Sequence, residues 1–133
     1  MTVRLGIIGA GIMGADHADV FAQDVPGVTL QMICDADQAR AKKAADANGA
    51  KHVVSDPYAL IADNSIDAVV IAAPDQFHTP LTLACLEAGK PVLCEKPLSQ
   101  DVKECLSVLA AEEKRGKHLV QIGFMRRFDP SYA

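Results

Sequence analysis

Three glycines within six residues, Gly9, Gly11 and Gly14, constrain this chain more than any other stretch. An apolar run, Val3 to Ile8, leads into them and a helix-compatible run, Ala15 to Phe21, leaves them, so the segment reads as strand, tight turn, helix. The flanking pattern gives the spacing its meaning, because three glycines so placed also arise by chance. In this setting Gly9 turns the chain sharply, Gly11 lets the backbone approach a pyrophosphate, and Gly14 lets the helix pack against the strand. The helix points its free amides and positive dipole end at the phosphates, which is worth roughly 0.3 to 1 kcal/mol, and up to about 2 when partly buried. The segment therefore predicts a dinucleotide site.

The rest of the chain repeats the alternation. Short apolar runs predict strands at Val3 to Ile8, Thr29 to Cys34, His52 to Val54, Ala68 to Ala72, Pro91 to Cys94 and Leu119 to Ile122. Longer amphipathic runs predict helices at Ile12 to Gln23, Ala36 to Asn48, Pro57 to Ala62, Thr79 to Ala88 and Val102 to Arg115. The strands are nearly continuous in Val, Ile and Leu, the composition of parallel strands covered on both faces. Gly27, Gly49, Gly89 and Gly116 each fall at or just beyond a helical run, and Asp56-Pro57 reads as an N-cap with proline at the first helical position. The predicted fold is α/β: a doubly wound, mostly parallel six-stranded sheet with helices on both faces, the Rossmann arrangement, over residues 1–123.

A chain of 133 residues fits one such domain and can bury roughly two-thirds of its unfolded surface. Its net charge of -4 and its lack of a Lys/Arg cluster argue against nucleic acid or an acidic membrane surface as partner. No apolar run approaches the roughly 20 residues a bilayer requires, and nothing at the N-terminus resembles a signal peptide, so the expected location is cytoplasmic. Cys34, Cys85, Cys94 and Cys105 form no C-x-x-C pair and occupy apolar positions, the pattern of buried reduced thiols rather than of a disulfide or a zinc site. No metal is expected.

Several side chains stand where chemistry would be done. Asp35 ends the second strand, roughly 20 residues after the glycine turn, where a carboxylate can accept hydrogen bonds from ribose hydroxyls and repel a 2′-phosphate; NAD is the expected cofactor. The alternative is an ordinary helix N-cap, and Arg40, one helical turn on, is within reach of a 2′-phosphate. The segment Ala72 to His78 follows the fourth strand and should border the nicotinamide half of a dinucleotide. His78 either hydrogen-bonds within that loop or faces the cofactor. His17 reads as a structural residue of the first helix, and nothing singles out His52 or His118. Glu95-Lys96-Pro97 closes the fifth strand at the same edge. There Lys96, its pKa lowered by burial and a cationic nicotinamide, could relay a proton, or it could form a plain surface ion pair. The end of the chain, Phe124 to Ala133, with exposed phenylalanines and paired arginines, reads as the start of a connection (124–133) to a second domain, or as a tail that binds a partner.

Taken in order, Gly9 to Gly14, Ala73 to His78, Glu95-Lys96-Pro97-Leu98 and Gly123-Phe124-Met125-Arg126-Arg127-Phe128 resemble the N-terminal domain of the Gfo/Idh/MocA oxidoreductases, and most of all their inositol 2-dehydrogenase branch. The resemblance covers essentially the whole chain. It implies that Gly9, Gly11, Ile12, Met13, Gly14, Asp35, Ala73, Pro74, His78, Glu95 and Lys96 surround NAD. It further implies that Lys96 is the catalytic lysine beside the substrate hydroxyl, in a Lys96-Pro97 bond that is cis, and that Arg126 reaches toward the substrate. The implied reaction is hydride transfer from a secondary hydroxyl of a cyclic, inositol-like polyol or a sugar to NAD. Family members add a second domain that supplies further substrate groups and builds dimers or tetramers. The fragment alone is therefore expected to bind NAD and to turn over poorly. The competing expectation, from another class, is a non-catalytic NAD-binding or redox-sensing module acting through a protein docked on Phe124 to Phe128.

Overall fold

The computed structural model describes residues 1–132. Its strands are β1 (Val3–Ile8), β2 (Val28–Cys34), β3 (His52–Val54), β4 (Ala68–Ile71), β5 (Val92–Glu95) and β6 (Val120–Gly123). They form one six-stranded sheet in the order β3-β2-β1-β4-β5-β6, with every neighbouring pair parallel. The helices are α1 (Ile12–Gln23), α2 (Gln38–Asn48), α3 (Pro57–Ala62), α4 (His78–Glu87) and α5 (Val102–Arg115). The predicted doubly wound fold is thus observed. The order reverses at β1, which has β2 on one side and β4 on the other, and such a reversal leaves a crevice beyond the carboxyl ends of the strands.

Period-two alternation, interrupted in β2 by a register shift that skips Gln31, divides the strand side chains between two cores. Leu5 and Ile7 of β1, with Leu30, Ile33 and Val70, pack under Ala18 of α1 and Ala41, Ala44 and Ala45 of α2. Ile8 of β1, with Met32, Cys34, Val69, Ile71, Val92 and Cys94, packs against Leu60 and Ile61 of α3 and Leu81 and Cys85 of α4. Alanines at the α2 contact, spaced i, i+3 and i+4, let that helix lie close to the sheet. Because both faces of the central strands are covered, β4 and much of β1, β2 and β5 read as apolar runs, while the edge strands β3 and β6 keep exposed His52 and Gln121.

Boundaries agree with the sequence reading to within one or two residues. The largest difference is at α2, which starts at Gln38 instead of Ala36. Asp37 is the reason: it holds an extended backbone, and its side chain accepts from the Ala39 and Arg40 amides, so the helix cannot begin before it. The N-cap role weighed for Asp35 therefore belongs to Asp37. Asp56 caps α3 ahead of Pro57 as expected, Asp101 caps α5, and Gly49 and Gly116 close α2 and α5 in the left-handed conformation.

All four cysteines are free; Cys34, Cys85 and Cys94 are buried, and burial pushes the first two thiols up to about 12 and the third to about 11. Among the described residues no helix is long and apolar enough to cross a membrane, and no cluster of three His, Cys, Asp or Glu side chains could hold a metal ion.

Candidate functional site

The turn after β1 is built as the glycine spacing requires, with one refinement. Gly9 has φ +97, and its amide donates to the Cys34 carbonyl at 2.7 Å, tying the turn to the end of β2. A Cβ on Gly9 would lie 2.6 Å from the backbone of Ala72, and one on Gly14 would lie 1.8 Å from the Gly9 carbonyl oxygen. Gly14 thus lets α1 pack against the turn itself more than against the strand. Gly11 is different: a Cβ there meets nothing within 4 Å. Its backbone faces open space. Gly11 is also the N-cap of α1 and supplies no side-chain cap, in contrast to the aspartates on α2, α3 and α5. The first amides of α1 are therefore left to whatever enters the crevice. Ile12 and Met13, large and apolar, stand 84% and 47% exposed beside them.

Asp35 lies at the end of β2 and is buried. Its Oδ2 accepts from the Ala10 amide of the glycine turn at 2.8 Å, and its Oδ1 accepts from the Asp37 amide at 2.8 Å. Arg40 donates to both oxygens, from Nε at 3.2 Å and Nη2 at 3.1 Å. Burial alone would raise the carboxyl, but the Arg40 hydrogen bond, the two amides and the Arg40 charge outweigh it and hold Asp35 below its ordinary value. Next to this pair opens a cleft of about 390 Å³, lined by Gly9, Asp35, Ala36, Arg40, Ser55, Tyr58, Ala73, Pro74 and Phe77 among others. An apolar, part-aromatic hollow beside a carboxylate, with a second hollow across Arg40 lined by Gly11 and Ile12 at the uncapped helix start, has the chemistry of a cradle for an adenosine diphosphate.

Two further loops complete the edge. After β4 the chain passes through Ala73 and Pro74 into a 3-10 turn, Asp75–Phe77. His78 is 1% exposed, and its ring nitrogens face the Ala73 carbonyl at 2.7 Å and the Pro97 carbonyl at 2.6 Å. It joins this loop to the one after β5, the loop-internal alternative of the two raised by the sequence. After β5 come Glu95, Lys96 and Pro97, and the Lys96-Pro97 bond is cis. Lys96 is exposed and makes no hydrogen bond or ion pair among the described residues, so the burial foreseen for it does not come from this part of the protein. Glu95 is held: His17 of α1 donates from Nε2 to its Oε1 at 2.7 Å.

His17, which the sequence reads as a structural residue of the first helix, is the side chain that holds Glu95. Its helix position places it three residues after Gly14 and four before Phe21, on whose ring it stacks. Arg126, expected near the substrate, lies in the 3-10 turn Met125–Phe128, where it hydrogen-bonds the Tyr132 hydroxyl and stacks over its ring at 4.6 Å. No hydrogen bond joins it to Lys96 among the described residues. Phe124, Met125 and Phe128 are 50%, 66% and 76% exposed, as the tail's composition led one to expect.

Comparison with known proteins gives this geometry a context. The inositol 2-dehydrogenase 2 of Saccharopolyspora erythraea is 53% identical over 133 residues, which are 99% of this chain and 39% of that protein. The inositol 2-dehydrogenase of Rhodococcus erythropolis is 47% identical over 130 residues, 98% of this chain and 38% of its own. The scyllo-inositol dehydrogenase of Lactobacillus casei, solved with NAD(H) and scyllo-inositol, superposes with a TM-score of 0.93 at 32% identity, over 99% of this chain and 39% of that one. The chain thus spans about two-fifths of the length of these relatives. Residues 3–124 match the family model described as oxidoreductase family, NAD-binding Rossmann fold. With that match, and with the uncapped helix start, the buried Asp35 and the strand order all of one kind, the chain belongs to the Gfo/Idh/MocA oxidoreductases through their NAD-binding domain.

Proposed function

We propose that this chain is the cofactor domain of an NAD-dependent dehydrogenase that oxidises a secondary hydroxyl of an inositol-like cyclic polyol or a sugar. The observation that carries the reading is one edge of the sheet. There the Gly9–Gly14 turn, the Ala73–His78 loop and the Glu95–Lys96–Pro97 corner stand side by side at the ends of β1, β4 and β5. NAD, when bound, supplies the hydride acceptor.

The protein's own groups do the rest. The amides of Gly11, Ile12 and Met13 take the diphosphate, Asp35 accepts from the adenosine ribose, and Ala73 and Pro74 border the nicotinamide half. Glu95, anchored by His17, fixes the strand end from which Lys96 projects. The Lys96 amine receives the hydroxyl proton of the substrate and passes it on, and Arg126 turns from Tyr132 to a polyol oxygen. His78 carries no direct role in this scheme; it locks the two loops at their relative height.

Residues 1–123 form the cofactor domain and 124–133 begin the connection to a substrate domain. The relatives' greater length supports this division, and dimers or tetramers are the proposed state of the full-length protein. The four free thiols fit a reducing compartment, so the cytoplasm is the proposed location.

The test uses the full-length protein. Lys96→Ala should lower polyol-dependent reduction of NAD by about a hundred- to ten-thousandfold while NAD affinity stays within about twofold. Unchanged turnover would remove Lys96 and the reading with it.

A further inference from the structure

Asp35 is saturated. An ionised carboxylate offers about four lone-pair positions, and here all are taken: Oδ2 by the Ala10 amide and Arg40 Nε, Oδ1 by the Asp37 amide and Arg40 Nη2. A ribose diol needs two of them, so something must leave. The amides cannot, because Ala10 belongs to the glycine turn and Asp37 caps α2. Their bonds, both 2.8 Å, are part of the fold. Arg40 can leave. Its side chain is 52% exposed, it sits on the outer first turn of α2, and its bonds of 3.1 and 3.2 Å are longer than the roughly 2.7–2.9 Å usual for charge-assisted pairs.

The place it would move to is also defined. Arg40 lines the 390 Å³ cleft that holds Tyr58 and Phe77 and, on its other side, a cleft of about 420 Å³ that holds Gly11 and Lys43. Once off the carboxylate, the guanidinium remains tethered between the two. A ribose held by Asp35 would bring its 2′ position, the one place where NAD and NADP differ, within reach of that guanidinium.

Resting on the proposed dinucleotide site, we infer that Arg40 is a specificity-determining residue: it competes with the ribose hydroxyls for Asp35, and when displaced it supplies the counter-charge that makes a 2′-phosphate tolerable. Two opposite effects follow from one side chain. NAD binding is weakened, because two neutral hydroxyls must replace a charged fork. NADP binding is strengthened, because the repulsion of Asp35 is offset by a cation with the right planar geometry for phosphate. The aspartate selects for NAD and the arginine blunts that selection.

The test is calorimetric titration of the full-length protein with NAD and with NADP, as wild type, Arg40→Ala and Arg40→Lys. In Arg40→Ala, NAD should bind about two- to fivefold more tightly, the scale of a half-exposed ion pair removed. NADP should bind about tenfold more weakly, through loss of a charge-assisted contact. The NADP effect should shrink in high salt, where the Debye length contracts to about 3 Å at 1 M. Arg40→Lys keeps the charge but not the fork, so it should tighten NAD and leave NADP affinity between those of wild type and Arg40→Ala. This variant decides the matter if Arg40→Ala does not fold. A ratio of NADP to NAD affinity that is unchanged in both variants, with the wild type binding NAD, overturns the role of Arg40 alone. A wild type that binds neither nucleotide overturns the dinucleotide site and this inference together.

Discussion

Gly11 and Gly14 stand three residues apart, and substitution should separate what each does. Gly14→Ala places a methyl carbon 1.8 Å from the Gly9 carbonyl, a backbone atom that cannot move without shifting the turn. Stability should fall by about 2 kcal/mol or more in a denaturant melt, the scale of overpacking in a rigid setting. Gly11→Ala meets nothing within 4 Å, so the melt should stay within about 0.5 kcal/mol of wild type while NAD titration shows weakened binding. The reverse pattern would misassign both glycines. Thiol chemistry is a second check at this scale. Cys34 and Cys85, raised to about 12, and Cys94, raised to about 11, should resist alkylation in the native chain near neutral pH and react once it is unfolded. Residue types were legible in the sequence where geometry forces the type, as at Gly9 and Gly14. They were ambiguous where two tasks suit one side chain, as at Asp35 and His78.

The start of α2 shows how an element resolves such ambiguity. Two aspartates two residues apart offered themselves as caps, and only the backbone path shows that Asp37 caps the helix while Asp35 turns inward to the Ala10 amide. The two substitutions should therefore diverge. Asp37→Ala should lower stability by about 1 kcal/mol with little change in the preference between NAD and NADP. Asp35→Ser should weaken NAD binding and relax discrimination against NADP. Equal effects on discrimination would mean that the carboxylates share a role. Element boundaries elsewhere followed from caps and periodicity, because those are local, whereas the 3-10 turn Asp75–Phe77 had no periodic signal to reveal it.

Across the whole molecule, paired carboxylates set the response to acid. Arg4 at the start of β1 donates from its backbone amide and guanidinium to Asp67 ahead of β4, holding that carboxyl at about 2; Asp35 and Asp63 are also held below the ordinary value of 3.8. A carboxyl depressed in the folded state contributes stability that is fully present above the unfolded value and lost as pH falls through the folded one. The melting temperature should therefore be nearly flat from about pH 7 to 5, then fall as pH drops from about 4 toward 2. Asp67→Asn should make that fall shallower, and an identical slope would exclude the pair. What the sequence alone determined was the alternating parallel fold, the glycine turn and the candidate residues along one edge, since hydrophobic period and turn chemistry are written in neighbouring residues. Only the tertiary structure decided that Arg40 saturates Asp35, that His17 of α1 holds Glu95 of β5, and that His78 joins two loops through their carbonyls. The His17–Glu95 and His78–Pro97 contacts join residues 78 and 19 apart, and such pairings are fixed by how strands and helices stack, which no local pattern encodes.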